Sequence, residues 1–193
     1  MEDESGRKMW IEAGLKEIGR SGVEGVRVEV LAAHLGITKG GFYRRFKDRR
    51  ALLDALLNTW QRGRIAAIEK QTELAGKRAG ERLKSIIQLY SERLNPEAMA
   101  IELAVRQWAR SDAVASAAVE SVDAARLSNV AQLYRRLGWS AEEARARAVL
   151  FYAFIFGQSL IFLGPSLRKR ASMTAACAEI LIDVPNADNS TYP

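Results

Sequence analysis

At 193 residues, with 48% hydrophobic and 27% charged residues, the chain can bury a real core and carries no extended disordered region. A formal net charge of +6 points to an anionic partner. The single cysteine, Cys177, excludes an intramolecular disulfide framework and suits a reducing cytoplasm.

Helical signals fill the chain, with four prolines, no alternating strand runs and no Asn-Gly or Asp-Gly hairpin signals. The N-terminus, MEDESGRK, has no apolar signal core. A first helix is predicted from about Arg7 to Arg20, with Ile11, Leu15 and Ile18 on one face and Ser21-Gly22 as its stop. Val23, Val26 and Val28 lead into a second helix that turns Val28, Leu31, Ala32 and Leu35 inward and breaks at Leu35-Gly36-Ile37. A third runs from Thr38, expected as N-cap, to about Phe46, with Phe42 and Phe46 in the core by their i, i+4 spacing. Asp48 caps a fourth helix from about Arg49 to Glu73. Gly76 and Gly80 precede a fifth, about Glu81 to Leu94, and Asn95-Pro96-Glu97 starts a sixth that ends near Arg110. The seventh runs from Ser111-Asp112 to Leu137 and ends at Gly138. Ser140 and Glu143 form a capping-box pair for the eighth, which Gly164-Pro165 closes, and a ninth covers about Arg168 to Ile182.

The apolar run Val149 to Leu163 within the eighth helix is shorter than the roughly 20 residues a bilayer core requires. Gln158 interrupts it, so we expect no membrane partner.

Residues 28 to 47, VEVLAAHLGITKGGFYRRFK, are the most informative segment. Two short helices joined by a tight Gly36 turn, the second basic around a Gly40-Gly41 pair, follow the pattern of a helix-turn-helix that lays its second helix in a DNA major groove. Between Thr38 and Arg50, Lys39, Arg44, Arg45, Lys47, Arg49 and Arg50 face Asp48 alone, so much of the positive excess lies on or beside this reading helix. His34, the sole histidine, has no ligand-spaced partner and reads as surface or turn packing. We expect no metal and no cofactor.

From Trp10 to Leu53 the chain resembles the DNA-binding domain of the TetR/AcrR family of bacterial transcriptional regulators. The resemblance rests on Ile11 and Ala13, Gly25-Val26, Leu31-Ala32, Leu35 to Gly40, Phe42-Tyr43, Phe46-Lys47 and Leu52-Leu53, in uninterrupted register. It implies DNA contacts by Arg27, Val28, Thr38, Lys39, Gly40, Gly41, Tyr43, Arg44, Arg45 and Lys47. Lys39 suits a base edge or a nearby phosphate, Thr38, Tyr43 and Arg44 suit phosphates, and the two glycines let the backbone approach the groove floor. Two departures stand out. Arg27 occupies the position of the family's capping threonine or serine, and Arg45 that of its usual histidine.

The implied architecture is all-α, about nine helices. A helix-turn-helix DNA-binding domain at residues 1–47 and a connecting helix at 48–74 precede a helical regulatory and dimerisation domain at 75–183 and a frayed tail at 184–193. Tyr90, Glu102, Arg106, Gln107, Trp108, Tyr134 and Phe151 fall on helices that surround the family's effector pocket. Plain core packing of Trp108 and Tyr134, and an Arg106–Glu102 surface pair, are the alternatives. The eighth helix, apolar nearly all round, must be covered on two sides. Either it is wholly buried in the monomer, or together with the ninth helix it meets a partner subunit, through Phe151, Phe154, Ile155, Gln158 and Phe162 of the eighth and Ala176 and Ile180 of the ninth.

The expectation is a ligand-responsive repressor in the bacterial cytoplasm, associated with the nucleoid, that binds a palindromic operator in double-stranded DNA as a homodimer. A small-molecule effector would release it. A regulator without such an effector is the alternative. An all-helical enzyme fares worse, because no Ser-His-Asp, Cys-His or metal constellation is present in the sequence.

Overall fold

The computed structural model describes residues 2–73, 78–91, 96–161 and 167–183. Among them there are nine helices and no strand: α1 Glu2–Gly25, α2 Val28–Leu35, α3 Lys39–Tyr43, α4 Arg49–Glu73, α5 Ala79–Ser91, α6 Pro96–Trp108, α7 Ala113–Arg136, α8 Ala141–Leu160 and α9 Leu167–Leu181. The all-α expectation holds for these residues.

Local chemistry sets most of the boundaries. Asp48 Oδ1 accepts the Ala51 N–H at 2.8 Å, and Asp112 Oδ1 accepts those of Val114 and Ala115, so both carboxylates cap the helices they precede. The capping box opening α8 is complete: the Ser140 hydroxyl accepts from the Glu143 amide and Glu143 Oε2 accepts from the Ser140 amide. The first helix departs from the reading. Gly22 takes φ 70° and ψ −177°, yet a further turn follows it, so α1 reaches Gly25 across a kink where a stop was expected. Its buried ridge is also rotated. Trp10, Gly14 and Ile18 point inward at i, i+4 spacing, while Ile11 and Leu15 are half-buried.

The chain divides into two compact units, Met1–Ala67 with Asn95–Asp123, and Ile68–Leu94 with Ala124–Pro193. In the first, Trp10, Val26, Leu31, Phe42, Leu52 and Leu56 are fully buried. Trp10 meets Phe42 edge-on at 5.3 Å and Phe42 stacks on Phe46, as the i, i+4 spacing of the two phenylalanines implied. A side chain at Gly14 would meet Leu56 within 3 Å, so its absence lets α4 lie close on α1. Helix α6 packs on α1 in this same unit, with Ile101 against Gly19. That grouping differs from the sequence partition, which places residues 96–108 with the regulatory part.

The second unit is built on Leu83 and Ile87 of α5, Val130 and Tyr134 of α7, Ala144, Ala148, Phe151 and Ile155 of α8, and Ala178 of α9. The inward positions of α8 follow the i, i+4, i+7 spacing of one helical face. The Tyr134 hydroxyl donates to the Leu181 carbonyl at 2.8 Å and the Trp139 indole to that of Asp183, tying the end of α9 to α7. No helix among the described residues is long and apolar enough to cross a membrane.

Candidate nucleic-acid interface

Helix α2 ends at Gly36, which adopts the left-handed conformation (φ 66°, ψ 28°) and returns its N–H to the carbonyls of Ala32 and Ala33. A residue with a Cβ would be strained there. The turn delivers Thr38 in an extended conformation, and α3 starts at Lys39. Behind α3 the fit is apolar: Val28, Leu31, Phe42 and Phe46 are buried. In front, Thr38, Lys39, Gly40, Tyr43, Arg44 and Lys47 are exposed, Tyr43 at 63%. The Tyr43 ring leans edge-on against Phe42 at 5.1 Å, so its phenol projects from a seated ring.

Some details correct the sequence reading. Helix α3 is a single turn ending at Tyr43, where a helix to Phe46 was expected. Thr38 is the N-cap by position, yet its hydroxyl makes no capping bond. The Gly41 amide that it would have capped is taken by the Thr38 carbonyl in a tight turn, at 3.0 Å. At Arg27, by contrast, the absence of a side-chain cap before α2 is the one expected of a side chain that only donates.

The basic window divides by role. Arg49 is turned inward, its Nε donating to the Val26 carbonyl at 2.7 Å and its Nη2 to that of Val23 at 2.6 Å. Arg50 pairs with Asp54 and Asp112, and Arg50 in turn holds the Asp112 carboxyl below the usual carboxylate range. Arg45 folds back on the domain. Its Nη1 donates to the Gly41 carbonyl, its carbonyl accepts from Arg7, and its guanidinium lies where a Gly6 side chain would stand. Among the expected contacts, then, Arg27, Thr38, Lys39, Gly40, Tyr43, Arg44 and Lys47 are exposed to solvent, Gly41 is half-buried and Val28 is buried. Arg45 is committed to the domain's own structure, and the charge excess overstates the cations available to a ligand.

Sequence reasoning missed Glu29. Its Oε1 lies 2.8 Å from the Lys39 Nζ on the exposed face. The Lys39 ammonium, assisted by Glu29's own amide, holds this carboxyl below the usual range. His34 is half exposed with Nδ1 3.6 Å from the buried Glu17 carboxylate, and no group of residues among those described could hold a metal.

The residues expected around an effector fall in both units. Glu102, Arg106, Gln107 and Trp108 belong to the first. Glu102 is buried and pairs with Arg64 at 3.1 Å and Arg106 at 2.9 Å, while Arg106 also grips Asp123 with two donors. Those polar ends are engaged with one another, Trp108 is buried and Gln107 faces solvent. Tyr90, Tyr134 and Phe151 belong to the second unit, where Tyr134 and Phe151 meet edge-on in the core and Tyr90 is half-buried against it.

Of the expected interface residues, Phe151 and Ile155 are wholly buried among their own unit's helices, so they are not available to a partner. Phe154 and Gln158 are half-buried, Ala176 and Ile180 are exposed, and Phe162 lies outside the described residues. Among the described residues of α8 and α9 and the position just after α8, the large apolar side chains left exposed are Val149, Leu150, Ile161, Met173 and Ile180.

Residues 11–56 match the family described as bacterial regulatory proteins, tetR family. No curated protein matches the chain. Among solved structures, a TetR-family transcriptional regulator from Agrobacterium tumefaciens is similar at 14% identity with a TM-score of 0.75, over 92% of this chain and 98% of that one. A protein from Saccharomonospora viridis, described as a transcriptional regulator and solved in complex with choline, is 18% identical with a TM-score of 0.75, over 91% and 96%. A transcriptional regulator from Rhodococcus sp. is 18% identical with a TM-score of 0.70, over 91% and 93%. At these identities the likeness is one of fold. The match over residues 11–56, together with the helix-turn-helix geometry, identifies a tetR-type DNA-binding domain in this part of the chain, and along nearly its whole length the chain shares its helical fold with transcriptional regulators of that kind.

Proposed function

We propose that the chain is a sequence-selective repressor that reads a palindromic operator as a homodimer in the bacterial cytoplasm and is released by a small-molecule effector. The observation that carries the DNA-binding part is the two-sided character of α3. Its back is locked by Phe42 and Phe46, and its front offers donors and cations around two glycines. A Cβ at Gly40 or Gly41 would meet nothing closer than 3.7 Å, and neither residue has positive φ, so the fold itself does not call for glycine at either position. Close approach of a groove to the helix backbone does call for it. On this reading Lys39, at the start of α3, reaches a base edge, while Arg27, Thr38, Tyr43, Arg44 and Lys47 fix the register on phosphates.

Dimerisation is supported by the exposed apolar side chains of α8 and α9, where Leu150 is 61% and Ile180 75% exposed. We read these exposed apolar side chains as the surface that a second copy covers. A twofold pair would set its reading helices at multiples of roughly 34 Å, the repeat of the major groove on one side of the duplex. For the effector, the choline complex of the S. viridis protein is a precedent on the same fold. In this chain Tyr90, Tyr134 and Phe151 remain our choice of apolar lining.

Selection of duplexes from a random pool, followed by footprinting, tests the DNA reading. We expect an enriched inverted repeat whose affinity falls steeply with salt. Lys39→Ala with Tyr43→Ala should abolish that binding while leaving the oligomeric state intact. No enrichment, or enrichment unaffected by the double variant, contradicts the proposal. Thermal shift against a small-molecule library tests the effector, because a bound ligand raises the melting temperature by mass action.

A further inference from the structure

The exposed surface that the start of α2 shares with α3 is basic through Arg27, Lys39, Arg44 and Lys47, yet Glu29 places a carboxylate within 2.8 Å of the Lys39 ammonium. Both side chains are more than half exposed, and an exposed ion pair adds little to folding. Ionised across the neutral range, Glu29 also lies where it would repel a polyanion. As an acid in the first turn of α2 it has a local role, accepting its own amide at the helix N-terminus, but that role does not require the carboxylate to engage Lys39 across the turn.

Lys39 is the first residue of α3, the place from which such a helix reaches bases. A free lysine there would also bind any phosphate, a contact that carries no sequence information. Glu29 changes that balance. Moving the ammonium onto a phosphate leaves an uncompensated carboxylate beside the DNA backbone. Docking the intact pair on a G·C base pair does not, because guanine O6 and N7 accept from the ammonium and the cytosine N4 amino group donates to the carboxylate.

We infer that Glu29 is a specificity-determining residue: it restrains Lys39 from sequence-independent phosphate contact and makes the pair a reader of G·C. The inference rests on the DNA-reading function proposed above, and its test keeps the two apart. The full chain and Glu29→Gln are titrated, at several salt concentrations, against the selected duplex and a scrambled duplex of equal composition. In the variant, affinity for the scrambled duplex should rise roughly tenfold near physiological salt, and its log–log salt slope should steepen by about two per dimer, one freed cation from each subunit. Affinity for the selected duplex should change far less, so the specificity ratio falls. Selection with the variant should relax a G·C position.

In a Lys39→Ala background, Glu29→Gln should leave the specificity ratio nearly unchanged, since the two residues act as a unit. Equal changes on both duplexes, or the same drop in ratio with and without Lys39, overturn the inference and leave Glu29 a plain surface charge. Circular dichroism checks the helices, and Glu29→Ala repeats the test if Glu29→Gln is misfolded. If the unmodified chain enriches no sequence at all, the DNA-reading function itself fails, which is a separate result.

Discussion

Replacing Gly40 and Gly41 together by alanine should move stability and DNA affinity in opposite directions. Both glycines lie in α3 with ordinary helical signs of φ. The nearest atom to a new Cβ is Thr38 Oγ1 at 3.7 Å for position 40 and Arg45 Nη1 at 4.0 Å for position 41, both ordinary contacts. Alanine loses less backbone entropy than glycine on entering a helix, by about 0.5–1 kcal/mol per site. The double variant should thus gain about 1–2 kcal/mol, and for a chain of this size each kcal/mol raises the melting temperature by about 2–4 °C. Four methyl groups per dimer would meanwhile stand between the two reading helices and the groove floor. Operator affinity should drop at least roughly tenfold, or about 1.4 kcal/mol. Thermal melts followed by circular dichroism and fluorescence anisotropy on a selected duplex measure the two quantities on one sample. A lower melting temperature would show that the glycines serve the fold. Unchanged operator affinity would show that this face does not approach DNA closely.

Arg49→Ala should destabilise the first unit by about 2–3 kcal/mol, because two charge-assisted bonds to the Val23 and Val26 carbonyls disappear. Arg44→Ala, five residues earlier and fully at the surface, should stay within about 0.5 kcal/mol yet weaken DNA binding. Urea midpoints separate the two, and equal destabilisation would contradict the division of the basic window. Leu150→Glu with Ile180→Glu should yield a helical monomer by sedimentation equilibrium; a persistent dimer would place the interface elsewhere. Burial pushes the Tyr134 phenol up to about 12, above its unfolded value near 10, so the folded state retains the proton. Its contribution is full below about pH 10 and is lost as pH rises from there through about 12. Tyr134→Phe should cost about 1 kcal/mol at neutral pH through the lost bond to Leu181, and should flatten the alkaline limb of stability against pH. Parallel alkaline limbs would refute that assignment.

What the chain discloses in one dimension tracks how local its determinants are. Asp48, Gly36 and the Ser140–Glu143 box act within four residues, and α4 runs over the same Arg49 to Glu73 that the sequence suggests. The roles of the arginines are not local. The acceptors of Arg49 lie 23 and 26 residues away and one partner of Arg50 lies 62 residues away, so a run that reads as ligand-binding charge is partly internal scaffolding. Residues Lys39 and Glu29 are brought together by the turn between two helices, which is why periodicity did not reveal the pair. Helix α8 shows another limit. It is apolar on several faces, so its pattern could not say that Phe151 and Ile155 turn inward while Val149 and Leu150 remain outside. Within α6 the i, i+4 pair of Glu102 and Arg106 is visible in the sequence, whereas Arg64 and Asp123 join it only in three dimensions.

That cluster constrains how the protein can drift over generations. Removing either arginine leaves the buried Glu102 carboxylate short of a counter-ion, and removing Glu102 takes the carboxylate partner from Arg64 and leaves Arg106 with Asp123 alone. Breaking a buried pair from one side costs about 3–5 kcal/mol, a large share of a typical folding free energy, whereas exchanging the whole set for apolar residues of similar volume is often neutral. Codons 64, 102, 106 and 123 are therefore expected to change in concert or hardly at all. Among descendants of this sequence, those four positions should form a linked haplotype while their neighbours on the same helices vary freely.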